Sequence, residues 1–190
     1  MPRKAKFTRE QIISEATCIV HDAGMPALTA RALSQQLNSS VIPIFSCFAN
    51  MEEVQAEVIK QVKKIYTEYI REGLTAQIPF KGVGEQYIKF AAEQPQFFKL
   101  LFMHGYGVKR ASGVLPIIDD NYDIILNSVK VSFGVDGACA EKIYKHLFIY
   151  SHGVATLCAT GVYTFAAEEV GEMLAEACVG IIKHLKETEK

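Results

Sequence analysis

The sequence has almost no net charge, and its cysteines show no pattern typical of a disulfide framework or a metal site. The 190 residues include 20 basic and 21 acidic side chains, for a formal net charge of −1. This excludes a protein that is basic over its whole surface, so any charge that binds nucleic acid must be local. The five cysteines are odd in number, and no two have C-x-x-C spacing. Free thiols in a reducing cytosol fit this pattern best, with a thiol redox switch as the alternative.

The sequence shows no pattern that predicts a secretory signal or a membrane span. No apolar segment follows the basic N-terminus, so we expect a cytoplasmic protein without a signal peptide. Residues 147–167 contain no Asp, Glu, Lys or Arg and have about the length needed to cross a bilayer. Ser151, His152 and three threonines make this segment too polar for a span. It predicts instead a helix buried both by its own core and by a partner subunit.

Alternating strand patterns and internal repeats are absent, whereas apolar residues at helical spacing run through the chain. With 49% hydrophobic and 22% charged residues, the chain can bury a core. We therefore predict an all-α fold. The expected helices cover about residues 9–23, two short segments within 29–48, then 50–72, 83–94, a short helix after Pro95, 117–133, 138–160 and 167–186, with a loop over 105–113.

The segment Thr29–Phe48 is the stretch that best indicates a function. Thr29 can cap a short helix, and Asn38 stands where the chain must reverse, because Asn tolerates the left-handed conformation. Ser40 can cap a second short helix, with Pro43 in its first turn. Helix, tight turn and helix is the arrangement that DNA-binding proteins place in the major groove. A helical hairpin in an ordinary core has the same pattern, and the flanking sequence must decide between the two.

The sequence on either side of residues 29–48 favours a small N-terminal DNA-binding domain, called the head below. Thr8 and Gln11 have the spacing of a capping box, and Asn50 has N-cap spacing to Glu53 at the start of a long connector helix. Residues 1–50 contain five basic and three acidic side chains, a local net charge of +2. The basic residues at 3–6 predict a mobile arm, which is either a solvated tail or a segment that seeks phosphate. We therefore expect a head at residues 1–50 and a larger helical domain at 51–190.

The order of these elements resembles the tetracycline-repressor-like (TetR) transcriptional regulators. The N-terminal resemblance covers residues 8–59, and Asn38 occupies a position that is usually Gly in the family. It is carried by Ile12, Ala16, Gly24, the run Thr29–Leu33, Ser40, Ile44, Phe45, Phe48 and the run Asn50–Glu53.

The C-terminal half resembles one branch of the same family. The run Tyr87–Ala91, followed by Pro95, Phe98, Leu101 and Phe102, is similar to that branch's Tyr…Phe-Ala…Pro…Tyr…Met-Phe run. Phe148 with His152-Gly153 is similar to its Trp…His-Gly signature, with Phe in place of Trp. The resemblance implies a homodimer that binds double-stranded operator DNA and pairs through the helices at about 138–160 and 167–186. It also implies release from a palindromic operator by a small apolar or aromatic molecule, with repression or activation both open.

This sequence has fewer side chains able to contact DNA phosphates and bases than is usual in the family. Val41 stands where members often carry Lys, and Met51 replaces the usual phosphate-binding Lys. Two hypotheses compete: an apolar reader assisted by the charged arm, or a head that has lost DNA binding and offers Val41, Ile42 and Phe45 to a protein partner. The DNA-binding candidates are Arg3, Lys4, Lys6, Thr29, Arg31, Ser39, Ser40, Val41, Pro43, Phe45 and Ser46.

The larger helical domain holds candidates for a small-molecule pocket, although aromatic residues at helical spacing also occur in a plain core. His152 is either a hydrogen-bonded structural residue or the polar anchor of such a pocket. The five histidines have no His-x-x-x-His spacing and no neighbouring carboxylate pattern, so we predict no metal, no cofactor, no catalytic residue and no enzyme. The pocket candidates are Tyr87, Phe90, Phe102, Met103, Tyr122, Phe148 and His152.

Overall fold

The computed structural model describes residues 7–103 and 120–188, and all regular structure in these ranges is helical. The predicted all-α class is confirmed there, while the predicted loop at 105–113 lies outside the described residues. The α-helices are α1 Arg9–Ala23, α2 Ala30–Gln36, α3 Ile42–Cys47, α4 Met51–Leu74, α5 Pro79–Glu93, α6 Pro95–Phe98, α7 Tyr122–Phe133, α8 Gly137–Ala159 and α9 Ala167–Thr188. A 3₁₀ turn covers Met25–Ala27, and a π-helical turn, Lys99–Met103, continues α6.

Helix α1 begins and ends at the residues that the sequence predicts. The Thr8 hydroxyl accepts the Gln11 backbone N–H at 3.2 Å, and the Gln11 side chain accepts the Thr8 N–H at 2.9 Å. This reciprocal capping box satisfies two backbone donors that a helix start leaves unpaired. Gly24 ends the helix with φ +78°, a conformation that glycine adopts without steric cost. The buried face of α1 consists of Ile12, Ala16 and Val20.

The helix–turn–helix stretch forms with one difference from the prediction. Thr29 caps α2 by accepting the Ala32 N–H at 3.1 Å, and Asn38 adopts φ +46°, as predicted. The prediction that Ser40 caps the next helix is wrong, because α3 begins at Ile42 with no side-chain cap. With Ser40 as N-cap, Pro43 would be the third helical residue, and proline has no N–H for a cap to accept.

Helix α4 and the helices that follow match their predicted positions with shifted ends. Asn50 caps α4 by accepting the Glu53 N–H at 2.9 Å, as predicted. Helix α5 begins at Pro79, one turn before the predicted start at Val83. Helix α7 begins at Tyr122, later than the predicted start at about residue 117, and residues 117–119 lie outside the described part.

The chain forms two compact units, each with its own core. The first unit contains residues 1–65 and 96–106, and the second contains residues 66–95 and 107–190. The described core of the first unit includes Leu33, Ile44 and Phe48 of the helix–turn–helix stretch. In the second unit α5 packs against α7, α8 and α9. The predicted functional boundary at residue 50 stays a prediction.

Two features of the described helices concern the predictions on membranes and thiols. No described helix is both long and apolar enough to cross a membrane. The predicted apolar segment at 147–167 is instead divided between the end of α8 at Ala159 and a turn that precedes α9 at Ala167. All five cysteines are free thiols, as the odd number and the spacing predict.

Candidate functional site

The end of α3 is fixed in place by Arg9, the first residue of α1. Its Nη1 donates to the Cys47 carbonyl oxygen at 2.7 Å, and its Nη2 lies 2.6 Å from Glu53 Oε1. The guanidinium also lies over the Phe48 ring, 4.1 Å from the ring centroid. The second carboxylate oxygen of Glu53 accepts the Ala49 N–H at 2.7 Å. One cation therefore joins the starts of α1 and α4 to the C-terminus of α3.

Arg9 faces two carboxylates, since Glu57 Oε1 also lies 3.6 Å from its Nη2. The Ala49 N–H and the Arg9 guanidinium hold the pKa of Glu53 below its usual range, because both stabilise the carboxylate. The hydrogen bond that Arg9 donates to Glu53 raises the pKa of Arg9. Local capping patterns gave no indication of this pair, because 44 residues separate its members in the sequence.

Helix α3 presents an apolar surface to solvent. Val41, Ile42 and Phe45 are exposed, with Ile42 at 73%, whereas Ile44 is fully buried. Between residues 29 and 48 only Arg31 carries a charge, and it is exposed. An exposed apolar group of this kind is usually a contact surface. The exposed side of this six-residue helix is therefore apolar.

The structure brings most of the DNA-binding candidates to the surface. Ser39 and Pro43 are half-buried, and the hydroxyl of Ser46 donates to the Pro43 carbonyl oxygen at 2.7 Å. Arg3, Lys4 and Lys6 lie outside the described residues. The exposed candidates are Thr29, Arg31, Ser40, Val41, Phe45 and Ser46.

The second unit contains a cavity of about 220 Å³ that is partly open to solvent and is lined by residues of α4, α5, α7, α8 and α9. Its wall is mostly carbon, with aromatic side chains prominent. Among the described lining residues, Lys81 is the one charged side chain, while Ser151 and Cys178 add a hydroxyl and a thiol. Burial raises the pKa of the Cys178 thiol, so the thiol form is favoured. The aromatic lining residues are Tyr66, Phe80, Tyr87, Phe133, Tyr144 and Phe148.

Two of the seven predicted pocket residues, Tyr87 and Phe148, line this cavity. Phe90 is fully buried beside Tyr66, with ring centroids 5.3 Å apart, and is not among the lining residues. Phe102 and Met103 lie in the π-helical turn, which belongs to the first unit. The sequence pattern placed these three on apolar helix faces without showing which faces enclose a space.

The remaining two candidates, Tyr122 and His152, contact lining residues without being lining residues themselves. Tyr122 stacks on Tyr144 with ring centroids 5.7 Å apart, and its hydrogen bond to Glu141 raises the pKa of Tyr122 to about 12. His152 Nδ1 lies 2.9 Å from the Tyr87 hydroxyl, and burial lowers the pKa of His152. The neutral imidazole is therefore favoured beside the cavity wall.

Most of the lining residues were not among the predicted pocket residues, and Phe80 and Lys81 are two of those that the prediction missed. They occupy the first turn of α5, which the prediction assigned to the stretch before a helix starting at Val83. Pro79 is the signal that would have placed them, because proline is favoured at the first helical position. The Lys81 ammonium lies 3.6 Å from Glu85 Oε1, one turn along the same helix.

Helices α8 and α9 also carry exposed apolar side chains. Ile149, Tyr150 and Leu157 on α8 and Val179 on α9 are exposed within the single chain. These positions fall in the two segments, at about 138–160 and 167–186, that the sequence assigns to pairing with a second copy. Val131 on α7 is exposed as well, at 75%, outside those segments.

Comparisons with known proteins do not assign a family. A scan against models of known protein families finds no match for this chain, and a search of curated proteins finds none either. The described residues contain no group of three or more His, Cys, Asp or Glu side chains suited to hold a metal ion. Function must therefore be argued from the helix–turn–helix surface and from the cavity, because a fold alone does not define an activity.

Proposed function

We propose that this chain is a ligand-responsive, DNA-binding transcriptional regulator of the TetR-like type. In this proposal it is a homodimeric repressor that a small apolar or aromatic molecule releases from a palindromic operator. The observation that carries the proposal is the presence, in one chain, of a helix–turn–helix stretch with an exposed α3 and a separate helical unit with an apolar cavity. The resemblance of motifs over nearly the whole chain supports the same function.

DNA binding would use α3 as an apolar reader. Val41 and Pro43 have the chemistry to contact thymine methyl groups in the major groove. The phosphate contacts would come from Thr29, Arg31 and hydroxyls at the turn, with the basic residues at 3–6 supplying further charge. Arg9 would act as a positioning residue, because it fixes the end of α3 without being part of its exposed face.

Homodimerisation would cover the exposed apolar side chains of α8 and α9. Ile149, Leu157 and Val179 are costly to leave in water, and burial against a second copy would recover about 25 cal/mol for each Å² of apolar area. A twofold dimer would present two α3 helices, which matches a palindromic operator.

Release from DNA would require a ligand with different affinities for two states of the protein. A ligand shifts a conformational equilibrium only by its difference in affinity between the states. The cavity lies among α5, α7, α8 and α9, and its occupation would favour whichever packing of these helices best fits the ligand.

The second candidate function is regulation through protein contacts alone. The exposed Val41, Ile42 and Phe45, with no charged residue between 32 and 51, favour this alternative. An apolar patch of this kind would dock on a protein partner, and the chain would then be a family-like protein with a degenerate reading helix.

Selection from a random-sequence duplex library with the full chain tests the proposal. We expect enrichment of an inverted repeat, followed by anisotropy titrations in which the enriched duplex binds more tightly than a scrambled duplex. Binding to the enriched duplex should weaken as salt rises, with a slope that counts phosphate contacts. Failure to enrich any sequence, together with equal binding to scrambled DNA at two salt concentrations, would contradict DNA-directed regulation and favour the protein-contact alternative.

A further inference from the structure

We propose that the cavity of the second unit binds an aromatic carboxylate of one or two rings, with the rings inside the aromatic wall and the carboxylate at Lys81. The regulatory meaning of this ligand rests on the proposed function, whereas the binding itself does not. The proposal follows from the size of the cavity, the chemistry of its wall and the position of its single described cation.

The volume limits the ligand to a small ring system. The cavity measures about 220 Å³. For comparison, an apolar protein cavity of roughly 150 Å³ is enough to bind benzene. One ring therefore fits with space for a substituent, and two fused rings fill the cavity.

The wall favours an aromatic body. Tyr87 and Phe148 pack with ring centroids 5.8 Å apart, and Phe80 and Tyr144 meet edge to face at 6.1 Å. Ring faces and edges are therefore both presented along the wall, and aromatic rings prefer offset or edge-to-face contacts with one another. Ala175 on α9 is a small lining residue, so a larger side chain at this position would take up space in the cavity.

The described lining includes one positive charge, which stands beside the Glu85 carboxylate at the rim of an otherwise apolar wall. No Asp or Glu occurs among the described lining residues, and Lys81 contributes an ammonium. The head groups of Lys81 and Glu85 both lie against α9, because a Cβ atom built on Gly171 would be 3.5 Å from Lys81 Nζ and 3.1 Å from Glu85 Oε1. Gly171 is one turn before the lining residue Leu174, so the ammonium stands at the edge of the cavity.

Lys81 keeps hydrogen-bonding capacity for a ligand. Its distance of 3.6 Å from Glu85 Oε1 exceeds the range of a hydrogen bond, and both side chains are partly exposed. Such exposed pairs contribute little stability, and an ammonium has three donors. A ligand carboxylate can therefore take N–H donors from Lys81 without breaking a strong internal contact. Glu85 would repel the same carboxylate, so its removal should strengthen binding.

Titration of the full chain with three naphthalene probes tests the proposal. The probes are naphthalene-2-carboxylate, its neutral carboxamide and 2-naphthylmethylammonium, which share one ring system and differ in charge. The sequence contains no Trp, so probe fluorescence can be followed without tryptophan background. At pH 7 we expect the carboxylate to bind about tenfold more tightly than the carboxamide, because a charge-assisted hydrogen bond is gained. We expect the ammonium probe to bind most weakly.

Four variants assign the binding to the cavity and to its cation. Lys81→Met should reduce carboxylate affinity to that of the carboxamide, and Glu85→Gln should increase it. Lys89→Met is the matched control, since Lys89 lies on the same helix, pairs with Glu72 at 3.9 Å and does not line the cavity. Ala175→Leu should weaken all three probes by filling the space, with a thermal melt to verify that the variant folds.

The proposal is overturned if none of the three probes binds at millimolar concentration, if wild type does not prefer the carboxylate, or if Lys81→Met matches Lys89→Met. Unchanged binding in a folded Ala175→Leu protein would also overturn it, by placing the probe elsewhere. All of these titrations are made without DNA. A chain that binds the carboxylate but enriches no duplex would contradict only the proposed regulatory function, and the converse result would contradict only the ligand class.

Discussion

Arg9 Nη2 lies 2.6 Å from Glu53 Oε1, so the first residue of α1 is bonded to the first turn of α4. Exposed ion pairs usually contribute little, and these two side chains are 38% and 36% exposed. This pair differs from an ordinary surface pair because Arg9 also binds the Cys47 carbonyl oxygen and covers the Phe48 ring. Its main effect should be on the position of α3.

We expect Arg9→Met to weaken binding of an enriched duplex about tenfold while lowering thermal stability only slightly, because α3 loses its tether without losing its core. The matched control is Arg71→Met, which removes an exposed arginine paired with Glu68 at 2.8 Å and should leave DNA affinity unchanged. Anisotropy and melting curves on the same samples check both. Equal DNA affinities for the two variants would show that Arg9 has no role in positioning α3.

A second prediction concerns Gly82, where α5 meets the end of α4. A Cβ atom on Gly73 would lie 2.7 Å from the Gly82 carbonyl carbon, and a side chain on Gly82 would meet the Gly73 carbonyl oxygen even more closely. We expect Gly82→Ala to lower the free energy of unfolding by about 1–3 kcal/mol, the usual range for overpacking. Denaturant titration measures this change.

Gly153 provides the matched control for that substitution. It also lies within a helix, α8, but a Cβ atom there would meet nothing within 4 Å. Gly153→Ala should therefore raise the free energy of unfolding by about 0.5–1 kcal/mol through helix propensity. A loss of stability at Gly153 instead would indicate that a second subunit packs against this position.

A third prediction concerns the dependence of stability on pH. Burial lowers the pKa of His152 from its ordinary value of 6.5, so the unfolded chain binds a proton more readily than the folded chain as pH falls below that value. The unfolded state then carries more protons, and stability must decrease with decreasing pH. His152→Gln should remove this contribution.

Chemical denaturation at pH 7.5 and pH 5.5 checks the prediction for His152. Wild type should lose more stability between the two values than His152→Gln, because the variant has no imidazole to protonate. The Tyr87 hydroxyl, 2.9 Å from His152 Nδ1, can form a hydrogen bond with the glutamine amide in the variant. The two proteins then differ mainly in the group that can be protonated. Equal losses in the two proteins would contradict a destabilising protonation at this position.

The fold was more predictable than the site because capping and reversal signals are local. Thr8 with Gln11, and Asn38 at its turn, depend on neighbours within four residues, and the structure confirms both. The prediction that Ser40 caps α3 was wrong, because Pro43 has no N–H that the Ser40 hydroxyl could accept. The position of Lys81 in the cavity lining and the contact between Arg9 and Glu53 both depend on which helices become neighbours. Helical spacing in the sequence does not specify this.

A fourth prediction concerns the apolar side chains of α8 and α9. If a second copy covers them, Ile149→Arg combined with Val179→Arg should convert a dimer into a monomer, because two charges would be buried without partners. Val131→Arg is the control, since Val131 is exposed on α7 outside the predicted interface. Light scattering after size exclusion measures the masses. A wild-type monomer, or a double variant that remains dimeric, would contradict pairing through these helices.

The last prediction distinguishes DNA binding from protein docking at α3. Val41 is exposed at the start of α3, so Val41→Lys adds a cation that could contact a DNA phosphate. The substitution should not disturb the buried Ile44. If α3 enters the major groove, the variant should bind scrambled duplexes more tightly, whereas on the enriched duplex the lost thymine-methyl contact should offset part of the gain. The slope of log affinity against log salt should steepen by about 0.9 for one added phosphate contact. Lys at this position would weaken an apolar protein interface instead, because the charge must be desolvated. Anisotropy at four salt concentrations, on enriched and scrambled duplexes, measures the slope. An unchanged slope on both duplexes would place α3 away from the DNA backbone and favour the protein-docking alternative.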